Sequence, residues 1–151
     1  MSRPLRLPGA CLAVALLLPV AGCGENSIDD YCAALKSDQK QIAEMLESTS
    51  ATALLTHLPM LRDLADQAPE DLADEWQTFV GAVDGLQDAL DEADVKASDF
   101  EDGKPPAGLS AEDRQAITAA ADQMATADVS AAASGIDQQA RDVCKINLGL
   151  G

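Results

Sequence analysis

The chain has 151 residues, the size of one domain, and its 26 acidic residues against 10 lysines and arginines give a formal charge of −16. A surface this acidic repels phosphate backbones, which excludes nucleic-acid binding and leaves a basic protein or a cation as the charged partner that fits. Solubility alone also accounts for such a surface. The apolar residues are mainly alanine and leucine, and 3% of the chain is aromatic. Because alanine is the strongest helix former and strands favour aromatic and β-branched residues, this composition predicts an all-α domain.

Residues 1–22 have the three parts of a secretion signal: a basic start at Arg3 and Arg6, an apolar stretch, and small residues before Cys23. The apolar stretch is too short to be a permanent transmembrane helix. Leu18-Pro19-Val20-Ala21-Gly22-Cys23 resembles the lipobox of bacterial lipoproteins. The resemblance implies that a signal peptide covering residues 1–22 is removed and that Cys23 carries the lipid. Residues 23–27 would then tether the domain to the extracytoplasmic face of the cell membrane.

Two cysteines remain in the mature domain once the leader with Cys11 is removed and Cys23 is acylated. They are Cys32 and Cys144, one near each end. Outside the cytosol such a pair indicates a disulfide, with a redox pair or two free thiols as the alternatives. Redox pairs usually have Cys-x-x-Cys spacing near a βαβ pattern, which this sequence lacks, so a structural disulfide is favoured.

Apolar residues recur at alternating steps of four and three along several segments, a pattern typical of helices in a bundle. The first segment covers about residues 28–48, with the stripe Ile28, Cys32, Leu35, Gln39, Ile42 and Leu46. The third contains the only tryptophan and is expected to be the central helix, with the stripe Leu72, Trp76, Phe79, Val83, Leu86 and Leu90. The fifth has the stripe Val129, Ala133, Ile136, Ala140 and Val143. We therefore predict an all-α, four- to five-helix bundle over residues 28–151, stapled by one disulfide.

Prolines and capping residues predict where the helices begin and break. Pro59 interrupts the second segment, so a kink or a short first turn is expected there. Pro69 and the two acids after it mark the start of the third helix. Ser110 is expected to cap the fourth helix, with Asp113 in place of the usual capping-box glutamate. That helix has a thin seam of Ile117, Ala121 and Met124.

One side of the third helix is acidic, because Asp84, Asp88, Asp91 and Glu92 lie about one turn apart opposite the apolar stripe. Like charges at this spacing destabilise a helix, and a bound cation would relieve the repulsion. A solvated face is the ordinary explanation, so these residues are a candidate cation or partner contact only. His57 is the only histidine in the chain, and with the remaining cysteines expected in a disulfide no metal site is predicted.

The stretch from Asp94 to Gly108 has no helical pattern and is expected to be a long exposed loop. Its acids do not match a calcium-binding loop, because Leu109 falls where the bidentate glutamate is needed. Phe100, an aromatic residue among polar ones, is the candidate for contact with a partner. The alternative, that Phe100 folds back onto the core, is favoured.

The whole pattern resembles the small secreted lipoproteins of actinobacteria, which combine a lipobox with an alanine- and aspartate-rich helical domain. The resemblance is carried by the lipobox, by Asp30-Tyr31-Cys32 near the start of the domain and by Arg141-Asp142-Val143-Cys144 near its end. Proteins of this kind mostly lack an assigned activity. The resemblance therefore implies a location and a structural class, and it supplies no site residues.

Two functions fit these observations. No nucleophile elbow, metalloprotease, P-loop or dinucleotide motif is present in the sequence, so neither an enzyme nor a cofactor is predicted. The first function is a membrane-anchored, non-enzymatic interaction module that binds a basic protein or another envelope component. The second is a small-ligand or cation binder that uses a site between helices or the acidic face. A deep pocket would favour the second function, and a filled core the first.

Overall fold

The computed structural model describes residues 27–48, 51–100 and 104–150. Within these ranges the chain forms α-helices and no β-strand, so the predicted all-α bundle is confirmed. The six α-helices are α1 (Ile28–Glu47), α2 (Ala51–Thr56), α3 (Leu58–Gln67), α4 (Ala73–Glu92), α5 (Ala111–Met124) and α6 (Ala127–Gln139). Short 3₁₀ turns cover Glu70–Leu72 and Ala97–Asp99, and a π-helical turn covers Ala140–Cys144. The predicted signal peptide and Cys23 lie outside the described residues.

The described chain has one helix more than the upper end of the predicted range, because the second segment is divided at its proline. α2 ends at Thr56, and α3 begins at Leu58 with Pro59 in its first turn. Proline fits there because the first amide groups of a helix have no intrahelical acceptor. His57 lies between the two helices without a capping hydrogen bond from its side chain. The break lets α3 bury Leu58, Leu61 and Leu64.

Three helices begin with a hydroxyl side chain that accepts a hydrogen bond from a backbone N–H of the first turn. Ser27 caps α1, Ser110 caps α5 and Thr126 caps α6. At α5 the amide of Asp113 donates to Ser110 Oγ over 3.0 Å, as the sequence predicted. Each such cap stabilises its helix by about 1 kcal/mol.

The central position of α4 follows from its apolar stripe. It packs against α2, α3, α5 and α6. All six residues of the predicted stripe are buried: Leu72, Trp76, Phe79, Val83, Leu86 and Leu90. The buried residues separate into two clusters, a large one around Tyr31 and Trp76 and a smaller one formed by Leu86, Leu90 and Ile117.

The predicted disulfide is confirmed and joins the first and last helical segments. Cys32 and Cys144 are separated by 112 residues in sequence and by 5.1 Å between their Cα atoms. In the chain-entropy description, closing a loop of this length stabilises the fold by about 4–5 kcal/mol. In the C-terminal tail that follows Cys144, Ile146 and Leu148 are buried in the large cluster, so the tail forms part of the core.

Three positions of the predicted stripes are wrong. Ile28 is 36% exposed and Val143 is 51% exposed, and Gln39, in the middle of the α1 stripe, is exposed as well. On α1 the buried residues are Tyr31, Leu35, Ile42 and Met45, a stripe that shares two members with the predicted one. At the other end the π-helical turn contains more residues per turn than an α-helix. The extra residue rotates Val143 into solvent and turns Cys144 toward α1.

Candidate functional site

The structure does not gather the four acids of α4 into one site. Asp84 Oδ1 accepts hydrogen bonds from Arg62 Nη2 at 2.6 Å and from Arg62 Nε at 2.9 Å. The guanidinium of this α3 residue therefore already pairs with the Asp84 carboxylate. Asp91 accepts from Gln87 Nε2 on its own helix over 2.8 Å. Asp88 and Glu92 are exposed. Among the described residues no three or more His, Cys, Asp or Glu side chains are placed to hold a metal ion.

Phe100 lies against the smaller apolar cluster and is partly buried there. It follows the 3₁₀ turn Ala97–Asp99, which is held by hydrogen bonds from Asp99 N to Lys96 O at 2.9 Å and from Phe100 N to Ala97 O at 3.3 Å. The turn lies against α2. Phe100 therefore forms one wall of a groove instead of extending into solvent from a free loop.

This groove has a volume of about 550 Å³ and lies between α2, α4, α5 and the Ala97–Asp99 turn. Among the described residues no carboxylate lines it, and its lining is mostly apolar. The lining residues are Ala51, Thr52, Leu55, Leu86, Leu90, Ala97, Phe100, Pro105, Arg114, Ile117, Thr118 and Ala121. Small-molecule sites are typically mostly apolar spaces of about 300–1,000 Å³ with a few polar groups, and this groove fits that description.

The groove exists because α5 has little side-chain volume on the side that faces α2 and α4. Ile117 is the only residue of α5 that is buried. One turn further along, the lining position is Ala121, which has only a methyl group. A close-packed interior needs larger side chains at such positions, so the space between the helices stays unfilled.

Of the described residues that line the groove, Arg114 is the only charged one. Its side chain is exposed and has no carboxylate partner within the part of the chain that the structure describes. The other two arginines of that part are paired, Arg62 with Asp84 and Arg141 with Asp137. The hydroxyl of Thr118 donates to Arg114 O over 2.8 Å, so this groove-lining side chain has an internal partner.

The groove lies at the end of the bundle away from Ser27. α1 has 20 residues, which corresponds to a length of about 30 Å. Ala51, on the groove, follows shortly after the far end of α1, whereas Trp76 at the start of α4 contacts Tyr31 at the near end. Any tether attached before Ser27 therefore joins the bundle at the opposite end from the groove.

A buried carboxylate that the sequence analysis missed is structural. Asp137 is fully buried, and its Oδ1 accepts hydrogen bonds from the backbone N–H groups of Leu148 and Gly149, both at 3.0 Å. Arg141 Nη1 lies 2.9 Å from Oδ2, as an ion pair whose N–H is not aligned for a hydrogen bond. Asp137 thus fixes the tail and does not line the groove.

No protein-family model, curated protein or solved structure matches this chain. Of the helices that the structure describes, none has the length and apolar character needed to cross a membrane.

Proposed function

We propose that this chain is a non-enzymatic binding module, anchored through lipid on Cys23 to the extracytoplasmic face of the cell membrane, and that it binds a small apolar ligand in the groove. The lipobox-like sequence before Cys23 supports the anchor. The groove supports the binding role. The missing catalytic motifs in the sequence support the absence of an enzymatic role.

The observation that carries the proposal is the contrast between the groove and the rest of the chain. The sequence has 26 acids, yet none of the described residues that line the groove is acidic. A mostly apolar space of this volume with a few polar groups at its edge is the usual form of a small-molecule site. Binding on the acidic side of α4 has less support, because Arg62 already neutralises Asp84.

The orientation of the domain fits this role. The tether would join the bundle near Ser27, about the length of α1 away from the groove. A strongly acidic domain is repelled by anionic lipid head groups. The groove would therefore face away from the membrane, where a ligand or a carrier of that ligand can reach it.

Filling the groove tests the proposal. Ala121→Trp adds an indole at an exposed position that lines the groove, whereas Ala119→Trp adds the same side chain at an exposed position of α5 outside the groove. We expect the full-length chain and the Ala119→Trp variant to bind the neutral dye Nile red, with the usual rise in its fluorescence. We expect Ala121→Trp to weaken this binding roughly tenfold, because the indole occupies the dye's space.

The two variants carry the same leader and the same acidic surface, so dye bound elsewhere contributes equally to both. Thermal unfolding followed by circular dichroism checks that both remain folded. Equal dye binding by Ala121→Trp and Ala119→Trp would show that the groove is not a ligand site.

A further inference from the structure

Arg114 is an unusual arginine for this protein. Acidic residues outnumber lysines and arginines in the chain, 26 to 10, so an arginine has many carboxylates within reach. Arg62 and Arg141 each have such a partner. Arg114 has none within the described residues and lines an apolar groove instead. An exposed arginine side chain beside an apolar space is the arrangement that recognises a ligand with an apolar part and an anionic end.

The size of the groove limits the apolar part of such a ligand. An apolar protein cavity of about 150 Å³ holds one benzene ring, which has six carbon atoms. In proportion, a volume of about 550 Å³ accommodates roughly twenty carbon atoms. That is enough for one alkyl chain of ordinary length.

The charge of the site limits the anionic end. One guanidinium balances one negative charge, and its planar donors match the two oxygens of a carboxylate. A phosphate monoester bears nearly two charges at neutral pH, and the second charge would be repelled by the acidic surface around it. A monoanion is therefore favoured over a dianion.

We infer that the ligand of the groove is a single-chain carboxylate amphiphile, a free fatty acid, with its carboxylate paired to Arg114 and its chain along Leu55, Leu86 and Phe100. This inference rests on the proposed function, since it names the ligand class of the same groove. Thr52 and Thr118, the latter one helical turn after Arg114, add hydroxyl groups to the lining. The apolar wall supplies affinity, and Arg114 selects the charge of the head group.

Three probes with the same twelve-carbon chain separate the contribution of the head group from that of the chain. They are dodecanoate, dodecanol and dodecyltrimethylammonium, each used below its micellar concentration. Their affinities are obtained by displacement of Nile red from the full-length chain. The probes can also bind outside the groove, for example to the leader. The displacement signal measured with the Ala121→Trp variant is subtracted to remove this contribution.

The matched variants are Arg114→Gln, Arg114→Lys and Arg62→Gln. The Arg114 side chain is exposed and makes no ion pair among the described residues, so its replacement is expected to leave the fold intact. We expect dodecanoate to bind most tightly and Arg114→Gln to weaken it roughly fivefold to tenfold. Dodecanol affinity should not change. Arg114→Lys should restore part of the dodecanoate affinity, and Arg62→Gln should leave it unaffected, because Arg62 lies outside the groove.

Each other result contradicts the inference in a distinguishable way. If dodecanol binds as well as dodecanoate and Arg114→Gln changes neither, the groove binds apolar ligands without selecting an anion. If dodecyltrimethylammonium binds best, the acidic surface dominates and the assignment of a carboxylate ligand is wrong. If Nile red itself does not bind in the groove, the proposed function fails and the inference with it.

Discussion

The pair Tyr31 and Trp76 shows how single residues organise the large cluster. Both side chains are buried, and the indole Nε1 donates a hydrogen bond to Tyr31 Oη over 2.9 Å. The rings meet edge to face, with 6.5 Å between their centroids. Burial raises the pKa of Tyr31 to about 12, although the hydrogen bond from Trp76 favours the phenolate and opposes the shift. The phenol therefore stays neutral at physiological pH and has a structural role.

The ionisation of Tyr31 can be measured directly, because the chain contains a single tyrosine. We expect ultraviolet absorbance of the phenolate to titrate near pH 12 in the folded protein and near pH 10 in urea. Since the folded pKa lies above the unfolded one, burial of the neutral phenol stabilises the fold fully below pH 10. That contribution is lost as the pH rises towards 12. A folded-state midpoint near 10 would mean that Tyr31 is accessible to water.

At the scale of elements, the C-terminal tail depends on α6 for its position. The tail leaves the π-helical turn at Lys145, which has a positive φ of 61°. Ile146 N then donates to Ala140 O over 3.0 Å. Beyond this point the backbone amides of residues 148 and 149 have Asp137 Oδ1 as their acceptor. A segment without helical hydrogen bonds is thus held by one carboxylate and by the burial of its apolar side chains.

Removing that carboxylate should destabilise the fold. Asp137→Ala leaves the amides of Leu148 and Gly149 without their acceptor, and we expect a loss of roughly 2–4 kcal/mol in the free energy of unfolding. Asp137→Asn keeps one acceptor oxygen and should lose less. The control Asp142→Ala removes an exposed acid from the same region and should cost less than about 0.5 kcal/mol. Urea unfolding measures the stability of all three variants. In Asp137→Ala, amide hydrogen exchange should also accelerate at residues 148 and 149. A loss no larger than that of Asp142→Ala would contradict the role given to Asp137.

The sequence predicted the elements that depend on local pattern. The stripe of α4, the Ser110 cap and the break near Pro59 all follow from periodicity, capping chemistry or the missing amide of proline. The disulfide followed from the two cysteines that remain once the leader is removed and Cys23 is assigned to the lipid. The register of α1 was less determined, because the stripe through Cys32 and the one through Tyr31 share Leu35 and Ile42. Burial of the large aromatic side chain decides between them.

The groove and the tail could not be predicted, because both depend on how distant elements meet. The groove is a volume that α5 leaves unfilled, and that volume depends on the separation of α5 from α2 and α4. Asp137 lies between Ile136 and Gln138 in a segment rich in alanine, and from the sequence alone its side chain is expected to be exposed. Only the return of the tail makes it a buried acceptor. Arg114 could have been noticed as the one arginine of the fourth segment, but its apolar surroundings come from other helices.

At the scale of the whole molecule, the groove and the proposed anchor occupy opposite ends of α1. The chain has a formal charge of −16, and a domain this acidic is repelled by an anionic bilayer. With this separation, the proposed membrane attachment and the proposed ligand binding would use different residues. Loss of either one should therefore leave the other intact.

Replacing Cys23 tests this separation together with the anchor. We expect the wild-type chain to fractionate with membranes and to show acyl groups on Cys23 by mass spectrometry, whereas Cys23→Ser should bear no acyl group. A single acyl chain anchors weakly and two or more anchor stably, so the change in membrane association should be large.

Nile red binding in the groove is obtained for each chain by subtracting the fluorescence of the same chain that also carries Ala121→Trp. It should be the same in the wild-type chain and in Cys23→Ser, because Cys23 precedes the end of α1 that lies far from the groove. An unacylated Cys23 in the membrane fraction would contradict the anchor, and a loss of groove binding in Cys23→Ser would contradict the independence of the two ends.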